Sequence, residues 1–138
     1  MQWKDEFKLG IPVIDAQHKQ LFLCNNELSD ALTHGLRGSA IDNFLKQLEF
    51  YVTRHFSMEE KYMELSSYYP DLPIQLKAHQ YFTKRFAEIQ EEFRHKGLNP
   101  TIVHAIQDEL QIWLKDHVLG LDQAFGTYYQ QKEKKAQP

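Results

Sequence analysis

Apolar residues recur every three or four positions in four long segments of the chain, a spacing that predicts four amphipathic helices. Glycine or proline interrupts the pattern between segments, near residues 35–38, 66–73 and 97–100. We expect the helices at Ile14 or Asp15 to Thr33, Ser39 to Leu65, Ile74 to Lys96, and Asn99 to Val118. The expected N-terminal caps are Asp15, the pair Ser39 and Asp42, and Asn99.

Short connections between the segments, and no strand-like alternation, predict an all-α fold. The expected architecture is an antiparallel up-down-up-down four-helix bundle in a single domain of 138 residues. Residues 1–13 are apolar without a helical period, so we expect an arm packed across the bundle of residues 14–118. Beyond Gly120 we expect a short C-terminal helical extension within 119–138, with the polar residues 130–138 fraying into solvent.

Charge and composition exclude several classes of function. The chain has 16 Lys and Arg against 19 Asp and Glu, a formal net charge of −3, which gives no basic footprint for nucleic acid or an anionic membrane. No apolar run approaches the length of a membrane span. The single Cys24 cannot form an internal disulfide, and we expect it to fill space in the core. These features predict a cytoplasmic protein, with a monomer as the default.

The second helix places an imidazole and a carboxylate on its buried face. His55 and Glu59 are four residues apart, so both side chains leave the same side of the helix as Phe56 and Met63. A buried carboxylate costs several kcal/mol unless a cation or a hydrogen-bond donor meets it. Such a pair on its own is more often a polar contact than a metal site.

The antiparallel topology brings further histidines to the same level. The starts of helices one and three and the ends of helices two and four share one end of the bundle, where we expect His18, His55, His79 and His117 to meet around Glu59. Asp122 lies five residues after His117, off its face in a regular helix, but Gly120 between them could loosen the backbone. Four histidines and two carboxylates suit a carboxylate-bridged dinuclear iron site.

Zinc fits this inventory less well, because closed zinc sites use four ligands and often thiolates, and Cys24 lies outside the cluster. The other three histidines lie in a loop, near the end of helix three and near the start of helix four. We expect His34, His95 and His104 to be surface residues.

With these residues in view, the chain resembles the bacterial hemerythrins, in their single-domain form. The matching stretches span almost the whole chain, from about Trp3 to Asp122. They are Leu9-Gly10-Ile11, Ile14-Asp15-Ala16-Gln17-His18 with Leu21, His55-Phe56 with Glu59-Glu60, Tyr69-Pro70 ahead of His79, and Trp113-Leu114 with His117 and Asp122. Their joint spacing is highly specific, although each stretch alone would be weak.

The resemblance implies two non-haem iron ions and a role for each matched residue. His18 and His55 would bind the iron that keeps a free position for dioxygen, and His79 and His117 would bind the other. Glu59 and Asp122 would bridge the two ions. Phe56, Trp113 and Leu114 match positions that line an apolar dioxygen pocket in such proteins.

The chain departs from the family at one ligand, because the family usually carries a histidine where this sequence has Gln75. Three outcomes stay open: the amide oxygen of Gln75 binds iron, a water completes the coordination, or the second iron is five-coordinate and more reactive. The resemblance thus implies reversible dioxygen binding for carriage, storage, delivery or sensing. The alternatives are a diiron redox enzyme acting on peroxide or nitric oxide and a weakly metallated sensor module. A separate redox or acceptor protein is a candidate partner.

Overall fold

Four long helices form the fold in the computed structural model, which describes residues 2–66 and 68–136. The first three are α1 (Pro12–Thr33), α2 (Gly38–Leu65) and α3 (Leu72–Lys96), and α4 covers residues 100–136. α1 packs along α2, α2 along α3, and α3 along the first half of α4. A 3-10 turn at Asp5–Phe7 precedes α1, and no strand occurs within the described ranges. The predicted all-α four-helix bundle is confirmed.

α4 is one continuous run of helix built from five segments, two of which are π-helical. They are Pro100–His104 (α), Ala105–Gln111 (π), Ile112–His117 (α), Val118–Asp122 (π) and Gln123–Ala136 (α). The expectation that residues 130–138 fray is wrong as far as Ala136, because the helix continues to that residue. Gln137 and Pro138, like Met1 of the arm and Ser67 of the predicted turn, lie outside the described residues.

The start of α1 differs from the prediction. The helix begins at Pro12, whose fixed φ and missing N–H suit the first helical position. Asp15 is therefore not the cap; its carboxylate instead accepts hydrogen bonds from the backbone N–H groups of Leu9 (2.7 Å) and Gly10 (3.1 Å). The side chain that we expected to begin the helix ties the N-terminal arm to it.

The other two predicted caps have different outcomes. α2 begins at Gly38 without a side-chain cap, and Asp42 pairs with Lys46 (2.9 Å), so the expected capping pair of Ser39 and Asp42 is wrong. Asn99 is confirmed, because its Oδ1 accepts the N–H of Ile102 at 2.9 Å with Pro100 at the first helical position.

The N-terminal arm packs against the C-terminal part of α4. Leu9 and Ile11 are buried, and Gln123 and Gln130 donate side-chain hydrogen bonds to the carbonyls of Phe7 (2.5 Å) and Leu9 (2.8 Å). Gly126 permits this contact, since a Cβ at that position would lie 2.8 Å from the Leu9 side chain. The two ends of the chain thus support each other.

The apolar core is divided into two clusters. The large cluster fills most of the bundle and includes Cys24, which is buried as predicted. The small cluster lies where the arm crosses, and its buried members are Leu9, Ile11, Ile14, Met63, Tyr69 and Phe125. Along each helix, buried polar residues separate the members of one cluster from those of the other, for example His18 between Ile14 and Leu21.

His34, His95 and His104 are exposed, as predicted. Their ring nitrogens contact the Asp30 carbonyl, Glu91 and Asp108 at 2.7 Å each. Within the described part of the chain, none of the helices combines the length and the apolar character that a membrane span requires.

Replacing Asn99 tests the helix cap. Asn99→Ala removes the acceptor of the Ile102 N–H and should lower the free energy of unfolding by about 1 kcal/mol. The exposed Asn43, inside α2, is the matched control, since its side chain has no hydrogen bond among the described residues. Asn43→Ala should leave the free energy of unfolding unchanged or raise it by up to about 0.7 kcal/mol, because alanine favours a helix interior. Urea unfolding of the metal-free proteins measures both. Equal losses in the two variants would contradict the role of Asn99.

Candidate metal centre

Seven buried polar side chains form a layer across the bundle, between the two apolar clusters. None of them is more than 5% exposed. We call these seven residues the polar layer. They are His18 from α1, His55 and Glu59 from α2, Gln75 and His79 from α3, and His117 and Asp122 from α4. The structure therefore brings together all six residues that the sequence selected, with Gln75 beside them.

The four histidines are arranged as two pairs with their Nε2 atoms facing. The Nε2 atoms of His18 and His55 lie 3.0 Å apart, and those of His79 and His117 lie 3.2 Å apart. Two imidazole nitrogens that bind one divalent metal at right angles, each at about 2.1 Å, are about 3.0 Å from each other. The spacing within each pair therefore suits two ligands of one ion.

The two carboxylates each reach both histidine pairs. Asp122 Oδ2 lies 3.1 Å from His18 Nε2, and its other oxygen, Oδ1, lies 3.2 Å from His117 Nε2. Glu59 Oε1 lies 2.9 Å from His55 Nε2 and 3.6 Å from His79 Nε2. These distances define two groups of residues that could each hold a metal ion, and Glu59 belongs to both. One group is His18, His55, Glu59 and Asp122, and the other is Glu59, His79 and His117.

Glu59 is short of hydrogen bonds. Neither of its carboxylate oxygens has a hydrogen-bond partner among the described residues, although His55 Nε2 is only 2.9 Å from Oε1. At that distance the angles, not the separation, prevent a hydrogen bond. The two Glu59 oxygens thus lie among the histidine nitrogens without bonding to them, as expected where a cation fits between these groups.

The pKa values of Glu59, Asp122 and His18 are shifted because these ionisable groups are buried close together. Burial, and then the charge of Asp122, raise the pKa of Glu59 well above its ordinary value. Burial acts to raise the pKa of Asp122 as well, but the charge of His117 and hydrogen bonds from His117, His18 and His55 outweigh it and hold that pKa well below its ordinary value. Burial lowers the pKa of His18, which favours the neutral ring that a metal requires.

A π-helical turn places Asp122 beside His117. A regular helix returns to the same face after about 3.6 residues, whereas the i to i+5 hydrogen bonds of the segment Val118–Asp122 give a wider turn. Two residues five apart therefore share one face. Gly120 is not required for this by its conformation or by space, since its φ is not positive and a Cβ there would meet nothing within 4 Å.

Gln75 lies on the side of the layer that holds His79 and His117. Its Nε2 donates to Asp122 Oδ1 at 3.2 Å, the same oxygen that faces His117. Its Oε1 is buried and has no partner among the described residues. The amide oxygen is thus an acceptor without a partner, and a potential metal ligand, at the edge of the centre.

Aromatic rings cover the histidine pair of α3 and α4. Phe56 stacks on His79 with ring centroids 3.8 Å apart, and Trp113 stacks on His117 at 4.8 Å. Phe82 packs against both Phe56 and Trp113, and Leu114 is buried next to them in the large cluster. The three residues that the resemblance assigns to a dioxygen pocket therefore lie at one apolar wall of the layer.

Two polar residues behind the histidines belong to the stretches that carry the resemblance, but the sequence analysis assigned them no role. Gln17 Oε1 lies 3.0 Å from His55 Nδ1, and Glu60 Oε2 lies 2.8 Å from His79 Nδ1. Each follows or precedes a residue of the layer in the chain, so it projects about 100° away from that residue on its own helix. The signals available were this adjacency and the place of both residues in the matching stretches.

The chain matches a family model described as the hemerythrin HHE cation binding domain over residues 9–129. It is similar to a bacteriohemerythrin of Stenotrophomonas maltophilia (strain R551-3), with 32% identity over 123 residues, 89% of this chain and 77% of the relative. A bacteriohemerythrin of Clostridium acetobutylicum (strain ATCC 824) is 30% identical over 129 residues, 89% and 96% of the two chains. A myohemerythrin of Theromyzon tessulatum is 27% identical over 121 residues, 88% and 87%.

Adding a methyl group at Gly120 tests whether the π turn depends on glycine. Because nothing occupies the space around a Cβ and φ is not positive, Gly120→Ala should raise the free energy of unfolding by about 0.5–1 kcal/mol. It should leave the number of metal ions bound per chain unchanged. Urea unfolding and metal analysis measure the two quantities. Loss of metal in a stable variant would mean that the turn needs a glycine after all.

Proposed function

This chain belongs to the hemerythrin family, and on that premise we propose that it binds two non-haem iron ions in the polar layer and uses them to bind dioxygen reversibly. The observation that carries the proposal is the pair of carboxylates, each within reach of both histidine pairs. Imidazole nitrogens and carboxylate oxygens together form a donor set that suits iron.

Each ion has its own pair of histidines in this proposal. His18 and His55 would hold one iron and His79 and His117 the other, while Glu59 and Asp122, which reach both pairs, would be ligands that the two ions share. The neutral rings and the two buried carboxylates then all have a partner, and the two unpaired oxygens of Glu59 are satisfied. Two ferrous ions supply the electrons that reversible dioxygen binding requires when they are bound.

The surrounding side chains keep water and protons from the ligand. Phe56, Trp113 and Leu114 provide the apolar wall, and we assign to them the dioxygen pocket. An apolar wall that excludes water on this side favours release of dioxygen over its further reduction. A carrier, a store, a delivery protein and a sensor all need this property.

Gln75 makes the centre different from one with a fifth histidine. The unpartnered Oε1 of its amide supports weak ligation of the second iron by a neutral oxygen. The bond is weaker than one to imidazole, so we propose an altered dioxygen binder, with the His79 and His117 iron as the less firmly held ion.

The visible spectrum of the iron-loaded protein tests this function. The protein is reduced without air, exposed to air and then deoxygenated, and iron per chain is determined on the same sample. We expect two irons per chain and a charge-transfer band that appears in air and disappears on deoxygenation. A band that does not reverse, with consumption of added peroxide or nitric oxide, would favour a diiron redox enzyme, and about one iron per chain would favour a weakly metallated sensor.

Glu59→Gln tests the bridging carboxylate. The amide lacks the negative charge shared by the two ions, so we expect loss of the dinuclear site and at most one iron per chain. The free energy of unfolding of the metal-free variant should equal or exceed that of the wild type, because the buried carboxylate has no hydrogen-bond partner there. The exposed Glu64, also on α2, is the control, and Glu64→Gln should retain two irons. Full iron occupancy in Glu59→Gln would contradict the assignment.

A further inference from the structure

We propose that Glu60 is a positioning residue that makes His79 a stronger metal ligand and so compensates for the neutral Gln75 in the same half of the centre. This inference rests on the proposed function, because it concerns the second iron. It assigns a role to a residue outside the polar layer. Nothing in the motif spacing alone distinguishes this role from that of a solvated surface carboxylate.

The contact between Glu60 and His79 holds the proton of the ring on Nδ1 and so leaves Nε2 free to bind a metal. His79 Nδ1 donates to Glu60 Oε2 at 2.8 Å, and the Nε2 lone pair is then directed into the polar layer, 3.2 Å from His117 Nε2. The ring also stacks on Phe56 with an angle of 7° between the planes. The Glu60 side chain is 30% exposed, so it contacts water while its Oε2 reaches the buried ring.

The two histidines of the other pair, His18 and His55, lack a carboxylate at the second nitrogen. His55 Nδ1 contacts the neutral amide oxygen of Gln17 at 3.0 Å, and His18 Nδ1 has no hydrogen-bond partner in the described part of the chain. Among the described residues, Glu60 is the one carboxylate outside the layer that bonds to a ring of the centre. A carboxylate on the second nitrogen raises the basicity of a metal-bound imidazole more than an amide does.

Gln75 explains why this extra charge is useful at His79. Gln75 contacts Asp122 Oδ1, the carboxylate oxygen on the His117 side, so the neutral amide and the Glu60-supported ring belong to the same half of the centre. An amide contributes less electron density to iron than imidazole does. The negative charge of Glu60, transmitted through the His79 ring, offsets part of that difference.

A double-mutant cycle of Glu60→Gln and Gln75→His tests the compensation. Co(II) is the probe, because it is stable in air and its visible bands report coordination. The measurements are cobalt ions per chain and the rate at which excess chelator removes each ion. In the protein with the native Gln75, Glu60→Gln should speed the loss of one of the two ions by about 10-fold or more. In the Gln75→His protein the same change should have an effect under about 3-fold.

Three controls separate positioning from simple structural support. Glu60→Asp keeps a carboxylate and should recover part of the slow dissociation. Glu64→Gln, one helical turn from Glu60 and exposed, should leave both rates unchanged. The unfolding midpoint of metal-free Glu60→Gln should lie close to that of the wild type, while the Co(II) bands of the metal-loaded variant shift.

The outcomes distinguish the two proposals. If the wild type does not bind two ions, the proposed function fails. If it binds two ions but Glu60→Gln leaves both rates unchanged, the role of Glu60 is overturned and the dinuclear site stands. An equal effect of Glu60→Gln in the wild-type and Gln75→His backgrounds also overturns the compensation, since Glu60 would then act independently of Gln75.

Discussion

The central constraint on this molecule is that two carboxylates and four imidazoles are buried together in one layer, and that the side chains around them leave one of the carboxylates, Glu59, without a hydrogen-bond partner among the described residues. Glu59 is fully buried, and neither of its oxygens has a hydrogen-bond partner among the described residues. Removing such a group from water costs several kcal/mol. The large apolar cluster on one side of the layer, and the arm with the small cluster on the other, hold it in place despite that cost. In the proposed function, the cation supplies the missing interactions.

Much of this arrangement is predictable from the sequence, because the positions of the ligands depend only on the periodicity within each helix and on the order of the helices. His18, His55, His79 and His117 follow from the helical period and the antiparallel topology, and the bundle itself follows from four amphipathic segments. The caps were less predictable. Asn99 is correct, but Asp15 is in the first turn of α1 and binds the arm, a contact that depends on where the arm lies and not on local sequence.

Two features needed the structure because they depend on backbone detail or on the rotation of neighbouring helices. Asp122 reaches the layer through the π turn at Val118–Asp122, whereas sequence reasoning attributed its position to Gly120. Gln17 and Glu60 lie beside the buried face of their own helices, and their contacts with His55 and His79 are set by the adjacent helix. The periodic pattern cannot distinguish such residues from solvated ones.

The position of the polar layer between two apolar clusters has a consequence for how the protein opens. The small cluster joins the arm, the end of α2 and the last segment of α4, and without a cation it meets the rest of the core at a layer in which the Glu59 oxygens have no hydrogen-bond partner among the described residues. Local opening of a protein follows such weak boundaries. Metal ions held across the layer would join the two clusters into one cooperative unit, and slower exchange of the backbone amides near the arm would follow metal loading. The state of the buried centre would then be expressed in the rigidity of the arm, a segment that contains none of the proposed ligands.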